Sequence, residues 1–297
     1  MKRKLCWLAL LCLLNGGILM LAGWMFGGAP QEDWGPADSM EESESWSSMK
    51  LDAFEAAEIH LSWGDLSVRP GDDWELRWTG SQGDVRVEDG VLHLEDDRWD
   101  GSIVLLLPDE APELAWLDVS SDMGGVELYG VRAGTLSVAS DMGFARLSDV
   151  SAGTLDAVLS MGGLDLTRVT ADAVTAELDA GSVTLWDCVL GQTSFTLGMG
   201  SLQGSGVTLN GLTAELDMGE LDLEGTLTGR LDVTASMGGI RLATSLPLDQ
   251  YSGTARAGMG GVYLEREDQG GSLSLLGDGA NTLNLNAAMG EIDLMFE

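Results

Sequence analysis

The dipeptide Met-Gly recurs every nineteen residues through the middle of the chain, at Met123, Met142, Met161, Met199, Met218 and Met237, with Ala180 filling the one gap in the series. The same frame reaches back to Trp63-Gly64 and Gln82-Gly83, and forward, after longer insertions, to Met259-Gly260 and Met289-Gly290; a looser repeat falls at Asp100-Gly101. A fixed period of this length is the mark of one small unit stacked on copies of itself, because a single unit cannot bury its own apolar face.

The neighbours of the Met keep the same frame. Aliphatic residues stand six and four before it, as in Leu117/Val119, Leu136/Val138 and Leu231/Val233. Two more follow at three and five after it, as in Val126/Leu128, Leu164/Leu166, Leu221/Leu223 and Ile240/Leu242, and a third contact falls eight after it at Val131, Val150 and Val169. Period-two alternation over such short blocks predicts strands with one buried face. Positions −6, −4 and 0 share a parity that +3 and +5 do not, so the chain has to bend near the Met, and the glycine supplies a permissive backbone for that corner. This parity places the Met column in the core, where an adaptable thioether packs well, rather than at a Cu(I) site. Nineteen residues at about 3.3 Å each make a perimeter near 60 Å, which fits three short sides. About twelve rungs at about 4.8 Å would make a stack of roughly 55 Å. The expected fold is all-β: a single-chain parallel β-solenoid of nineteen-residue rungs over residues 50–297. Val119, Val138, Ala157, Ala176, Phe195, Ala214 and Val233 are expected in one buried column. No stretch of the body sustains a 3.6-residue period, which excludes a helical reading.

Upstream, Leu5 to Phe26 is almost wholly apolar and as a helix would span roughly 33 Å, enough to cross a bilayer. Pro30 spoils the cleavage signal offered by Gly27 and Ala29, so an uncleaved anchor is expected over residues 1–29. Lys2-Arg3-Lys4 before the span, against Glu32, Asp33, Asp38, Glu41, Glu42 and Glu44 after it, orients the N-terminus inside and the body outside. Residues 30–49 read as a flexible acidic linker. The expected location is therefore the cell membrane, single-pass, with an extracytoplasmic body.

With Lys2, Arg3 and Lys4 set aside, 12 basic residues face all 48 acidic ones, a formal charge of −36. Such a surface repels phosphate and excludes nucleic acid as a partner; an anionic polymer would need divalent cations as a bridge. Cys188 is the one cysteine of the body, so no intramolecular disulfide framework is available there. Without a Cys-x-x-Cys pair, and with only His60 and His93 as histidines, a zinc site is not expected.

The run L-x-V-x-x-x-M-G-G-[VIL]-x-L, repeated over the body behind a single anchor, resembles the bacterial putative-adhesin family of β-strand-repeat domains of unknown function, and the related toastrack domains of envelope-stress loci. The resemblance implies a solenoid displayed on the outer side of a membrane, and it supplies no catalytic residues.

Asp122-Met123-Gly124 and Asp141-Met142-Gly143 put carboxylates at a corner, but the calcium-binding nonapeptide never occurs. The column before the Met reads Asp122, Asp141, Ser160, Asp179, Gly198, Asp217, Ser236, mostly interleaving charged with neutral residues. The column four after it reads Glu127, Arg146, Asp165, Thr184, Gln203, Asp222, Arg241, which sets opposite charges on adjacent rungs. Trp63, Trp74, Trp78, Trp99 and Trp116 cluster early and are expected to plug the first rung. Arg132, Arg146, Arg168, Arg230 and Arg241 are too scattered to form an acid–base or nucleophilic constellation, so no catalytic, cofactor-binding or metal-ligating residue is nominated. The functional expectation is a non-enzymatic, membrane-tethered binding, adhesin-like or scaffold module of the bacterial cell envelope. Its partners would be the bilayer through residues 5–26, and an envelope protein or cell-wall polymer. The alternative is an envelope-stress sensing or signalling component coupled to a membrane partner through its single helix.

Overall fold

A computed structural model describes residues 46–96, 101–109 and 111–297. The expected membrane span and most of the linker lie outside them, and among the described residues no helix is long and apolar enough to cross a membrane.

The body is a β-solenoid whose central rungs stack parallel and in register. Pairing between Ser151–Thr167 and Thr170–Trp186 runs residue for residue and is interrupted at Gly153 and Ser160, two of the three corners. The third corner is a left-handed turn held by Asp149, Arg168 and Asp187 at φ of 55°, 52° and 52°, with Gly130 and Gly206 in the equivalent places. Asp tolerates this region because its short side chain bonds locally. Arg168 is steadied by a two-pronged bond to Asp149, 2.6 and 2.7 Å long.

Each rung points its apolar residues inward on all three sides. The column Val119, Val138, Ala157, Ala176, Phe195, Ala214, Val233 is buried throughout, as the spacing required. Its sizes compensate one another: the ring of Phe195 lies between Ala176 and Ala214, and its own rung carries Gly204 where the neighbouring rungs carry Leu185 and Leu223. The column eight after the Met is buried as well, and there Cys188 replaces valine with its thiol 3.3 Å from the Leu166 carbonyl. Burial pushes the Cys188 thiol above its ordinary pKa, which fits an inert packing role.

The glycine of each Met-Gly pair does more than permit a bend. A Cβ built on Gly162, Gly181, Gly200 or Gly219 would fall 1.5–1.6 Å from the carbonyl oxygen of the glycine one rung away. The contact continues through Gly101, Gly64, Gly124 and Gly143 at one end and Gly238, Gly290 and Gly260 at the other, so the corner is one continuous glycine column.

That column departs from chain order at both ends, which corrects the expectation of sequential stacking. At the N-terminal end, Ala56–Trp63 lies between Val91–Asp96 and Leu114–Tyr129, and Trp63 pairs directly with Met123. Gln82-Gly83 is therefore not a rung corner; it leads into Asp84–Glu88, an antiparallel strand laid on Val91–Asp96. At the C-terminal end, Asn281–Met289 lies between the rung of Met237 and Tyr251–Met259. Antiparallel strands also cover the outer rungs at Glu75–Trp78, Ser47–Lys50 and Ser272–Leu276. Antiparallel covers occupy backbone groups that a bare parallel edge would offer to another chain. Trp74 packs tilted against Phe54 with ring centroids 4.3 Å apart, and Trp78 is buried with them in the N-terminal cover, whereas Trp63 is exposed and Trp99 lies outside the described residues.

Gly162 and Gly163 separate backbone contact from local flexibility. A Cβ on Gly163 would have nothing nearer than 3.7 Å. Gly163→Ala should therefore leave stability within about 0.5 kcal/mol of the parent, whereas Gly162→Ala should cost about 3–5 kcal/mol in chemical denaturation. Equal effects of the two substitutions would contradict the glycine column.

Candidate functional site: an exposed methionine ridge

The methionines are not core residues. Met142, Met161, Met199, Met218, Met237, Met259 and Met289 are 41–64% exposed, and Met123 is half-buried. The corner lies one step earlier than parity alone implies. Position −2 continues the inward row as Ser121, Ser140, Leu159, Leu178, Leu197, Leu216 and Ala235, all at 3% exposure or less. The chain turns at −1, and the Met that follows is thrown outward. The leucines at −2 carried this signal in the sequence: with −6, −4 and −2 already filling one short side, no inward place remains for the Met.

In spatial order the ridge runs Trp63, Met123, Met142, Met161, Ala180, Met199, Met218, Met237, Met289, Met259. Nine steps of about 4.8 Å make it roughly 43 Å long. Other exposed large apolar residues, such as Tyr129, Val158, Trp186 and Val189, stand on other columns. Among them Phe144 flanks the ridge. Its ring lies where a Cβ on Gly125 would come within 2.3 Å, and the Arg146 guanidinium sits 5.0 Å from its centre.

Carboxylates border the ridge on its other side. Asp122, Asp141, Asp179 and Asp217 are exposed one position before the Met, and the interleaved Ser160 donates to Asp141 at 3.4 Å. The column four after the Met pairs as its charges required. Arg146 bonds Glu127 at 2.6 Å and faces Asp165 at 3.9 Å; Arg241 bonds Asp222 at 3.0 Å and faces Asp293 at 4.0 Å. Asp293 joins this set because the C-terminal strand is inserted next to the rung of Arg241.

The remaining arginines singled out in the sequence are engaged too. Arg132 donates to the Ala111 carbonyl, Arg168 holds Asp149, and Arg230 holds Asp232. Hydrogen bonds from these guanidinium groups hold the Asp149 and Asp232 carboxyls below the usual carboxylate range. Their contribution is present above the unfolded carboxylate pKa and is lost as pH falls through the lowered folded values. Arg168 thus offsets repulsion between neighbouring rungs, whereas Arg230 pairs along its own strand and Arg132 binds a carbonyl; all three tasks are structural.

Exposure makes the ridge chemically distinguishable. Dilute peroxide should convert the seven exposed ridge methionines to sulfoxides within a fewfold of the rate of free methionine, with the fold retained. Peptide mass spectrometry reads the rates, and protection of these residues until unfolding would restore them to the core.

No protein-family model and no curated protein matches the chain. Solved structures resemble it. A protein of Parabacteroides merdae described as a putative adhesin aligns over 85% of this chain and 96% of its own, with 10% identity and a TM-score of 0.50. Proteins given the same description align from Bacteroides fragilis, over 62% of this chain and 98% of their own at 17% identity and TM-score 0.43, and from Parabacteroides distasonis, over 85% and 97% at 12% and 0.45. At 10% identity the likeness to the Parabacteroides merdae protein is a likeness of fold.

Proposed function

We propose that the chain is a non-enzymatic, adhesin-like binding module of the bacterial cell envelope, held to the membrane by residues 5–26 with its body outside. The observation that carries this reading is the methionine ridge. A body with a formal charge of −36 has ample polar surface, yet it keeps a continuous apolar strip in water. Contiguous exposed apolar surface of this kind marks contact sites, and methionine is the side chain best able to adapt to a partner. The bordering aspartates select a partner whose apolar strip is flanked by Lys or Arg, which favours an envelope protein over an anionic wall polymer. The description of the Parabacteroides merdae protein as a putative adhesin agrees with this reading. The paired arginines on the same side of the solenoid serve the stack.

Photo-methionine incorporation tests the site and the topology together. In intact cells making the full chain, external protease should remove the body, and ultraviolet light should cross-link a partner mainly through ridge peptides rather than through Met49 or Met295. Replacing the bordering Asp122, Asp141, Asp179 and Asp217 by lysine, which leaves every ridge methionine in place, should reduce that cross-linking at least about tenfold. A body protected until the cells are permeabilised, or cross-links spread evenly over all methionines, would contradict the reading.

A further inference from the structure

The chain has two histidines, 33 positions apart and outside one another's nineteen-residue frame. Insertion of Ala56–Trp63 beneath Val91–Asp96 sets them on neighbouring rungs of one outward face. Four adjacent strands supply two rows of side chains there. One row reads Arg86, His93, Glu58, Asp118, and the next reads Asp84, Glu95, His60, Ser120. Each histidine thus has a glutamate directly across from it, and the four form a two-by-two checkerboard.

The distances within this patch suit a cation. One ligand atom from each of Glu58, His93 and Glu95 lies within 4.8 Å of the other two. His93 Nδ1 is 3.1 Å from Glu58 Oε2. Metal–ligand bonds of about 2.0–2.1 Å set a ligand-to-ligand edge of roughly 3.0–3.4 Å, so that pair is already spaced as two ligands of one ion. Next to them, His60 Nδ1 is held by Ser120 Oγ at 2.6 Å, which leaves its Nε2 as a further nitrogen ligand. Glu58, His60, Ser62, Glu95, Asp118 and Ser120 line a shallow depression at this place. Local charge is unbalanced: Arg86 is shared among Asp84, Glu88 and Glu95 at 3.6–3.8 Å. Elsewhere in the solenoid an arginine is bonded at 2.6–3.0 Å to the carboxylate of the adjacent rung.

We propose that Glu58, His93 and Glu95, with His60 beside them, bind a divalent transition-metal ion of the Zn²⁺ class. Imidazole among carboxylates selects such an ion over Ca²⁺ and Mg²⁺, which prefer oxygen alone. The proposal is independent of the methionine ridge, since the checkerboard lies on a different side of the rungs.

The test titrates the full chain in detergent micelles with Zn²⁺, in millimolar Ca²⁺ to fill diffuse acidic sites, and records the Cu²⁺ form by electron paramagnetic resonance. One Zn²⁺ per chain is expected, with nitrogen coupling in the Cu²⁺ spectrum. His93→Gln should weaken Zn²⁺ binding at least about tenfold and reduce the nitrogen coupling to what His60 alone supplies. Glu95→Gln, a change at an exposed side chain, should weaken binding similarly, and Asp222→Asn should leave it unchanged. His93→Gln and Glu95→Gln should melt with the parent. Absence of saturable Zn²⁺ binding in Ca²⁺, parental affinity in both His93→Gln and Glu95→Gln, or a Cu²⁺ spectrum without nitrogen would overturn the site.

Discussion

At each Met-Gly corner the carbonyl oxygen of one glycine occupies the space where the next glycine would carry a Cβ, 1.5–2.2 Å away along the stack from Gly64 to Gly260. Backbone can approach backbone this closely only where there is no side chain. The corner therefore fixes the register of every rung. Once register is fixed, identical positions stack on one another, and inward aliphatics, outward Met and paired charges all become columns. The outward turn of the Met follows from the same corner. It comes after the third inward residue of one side, so the residue next to the glycine has nowhere to go but out.

The ends of the stack solve a problem the middle does not have. A parallel solenoid that simply stopped would leave two rows of unpaired backbone groups in water, open to another chain. Here the first parallel strand, Ala56–Trp63, and the last long one, Asn281–Met289, are each placed one rung in from the end, bonded on both sides. Antiparallel strands then cover the rungs outside them. At the C-terminal end Tyr251 is fully buried, bonds Thr244 at 2.7 Å and meets the Phe296 ring edge-on at 5.3 Å, so the closing segment is pinned by side chains as well.

Much of this was legible in residue spacing. The nineteen-residue frame located the corner, the buried column through Val138 and Phe195, and the alternating charges around Arg146 and Arg241, because each follows from stacking equals on equals. Rung order was not legible. Spacing says that Trp63 and Met289 belong to the frame, but pairing along the axis depends on which strand the caps expose, a tertiary matter. The same swap hid the His60 and His93 neighbourhood, since neither residue predicts the other by period. The Met column was misplaced for a different reason: parity is reliable within a strand and fails across a corner, and the leucines at −2 were needed to find where the strand ended.

The surface thus divides into a methionine edge bordered by aspartates, ladders in which charges cancel, and one patch where histidines meet glutamates. All three depend on the stack with its inserted ends, and amide hydrogen exchange followed by mass spectrometry tests that arrangement most directly. If Asn281–Met289 is bonded on both sides, its amides should exchange as slowly as those of Ser151–Thr167, although it lies close to the C-terminus. Exchange of this segment within seconds, as in a frayed end, would contradict the inserted rung and the register built on it.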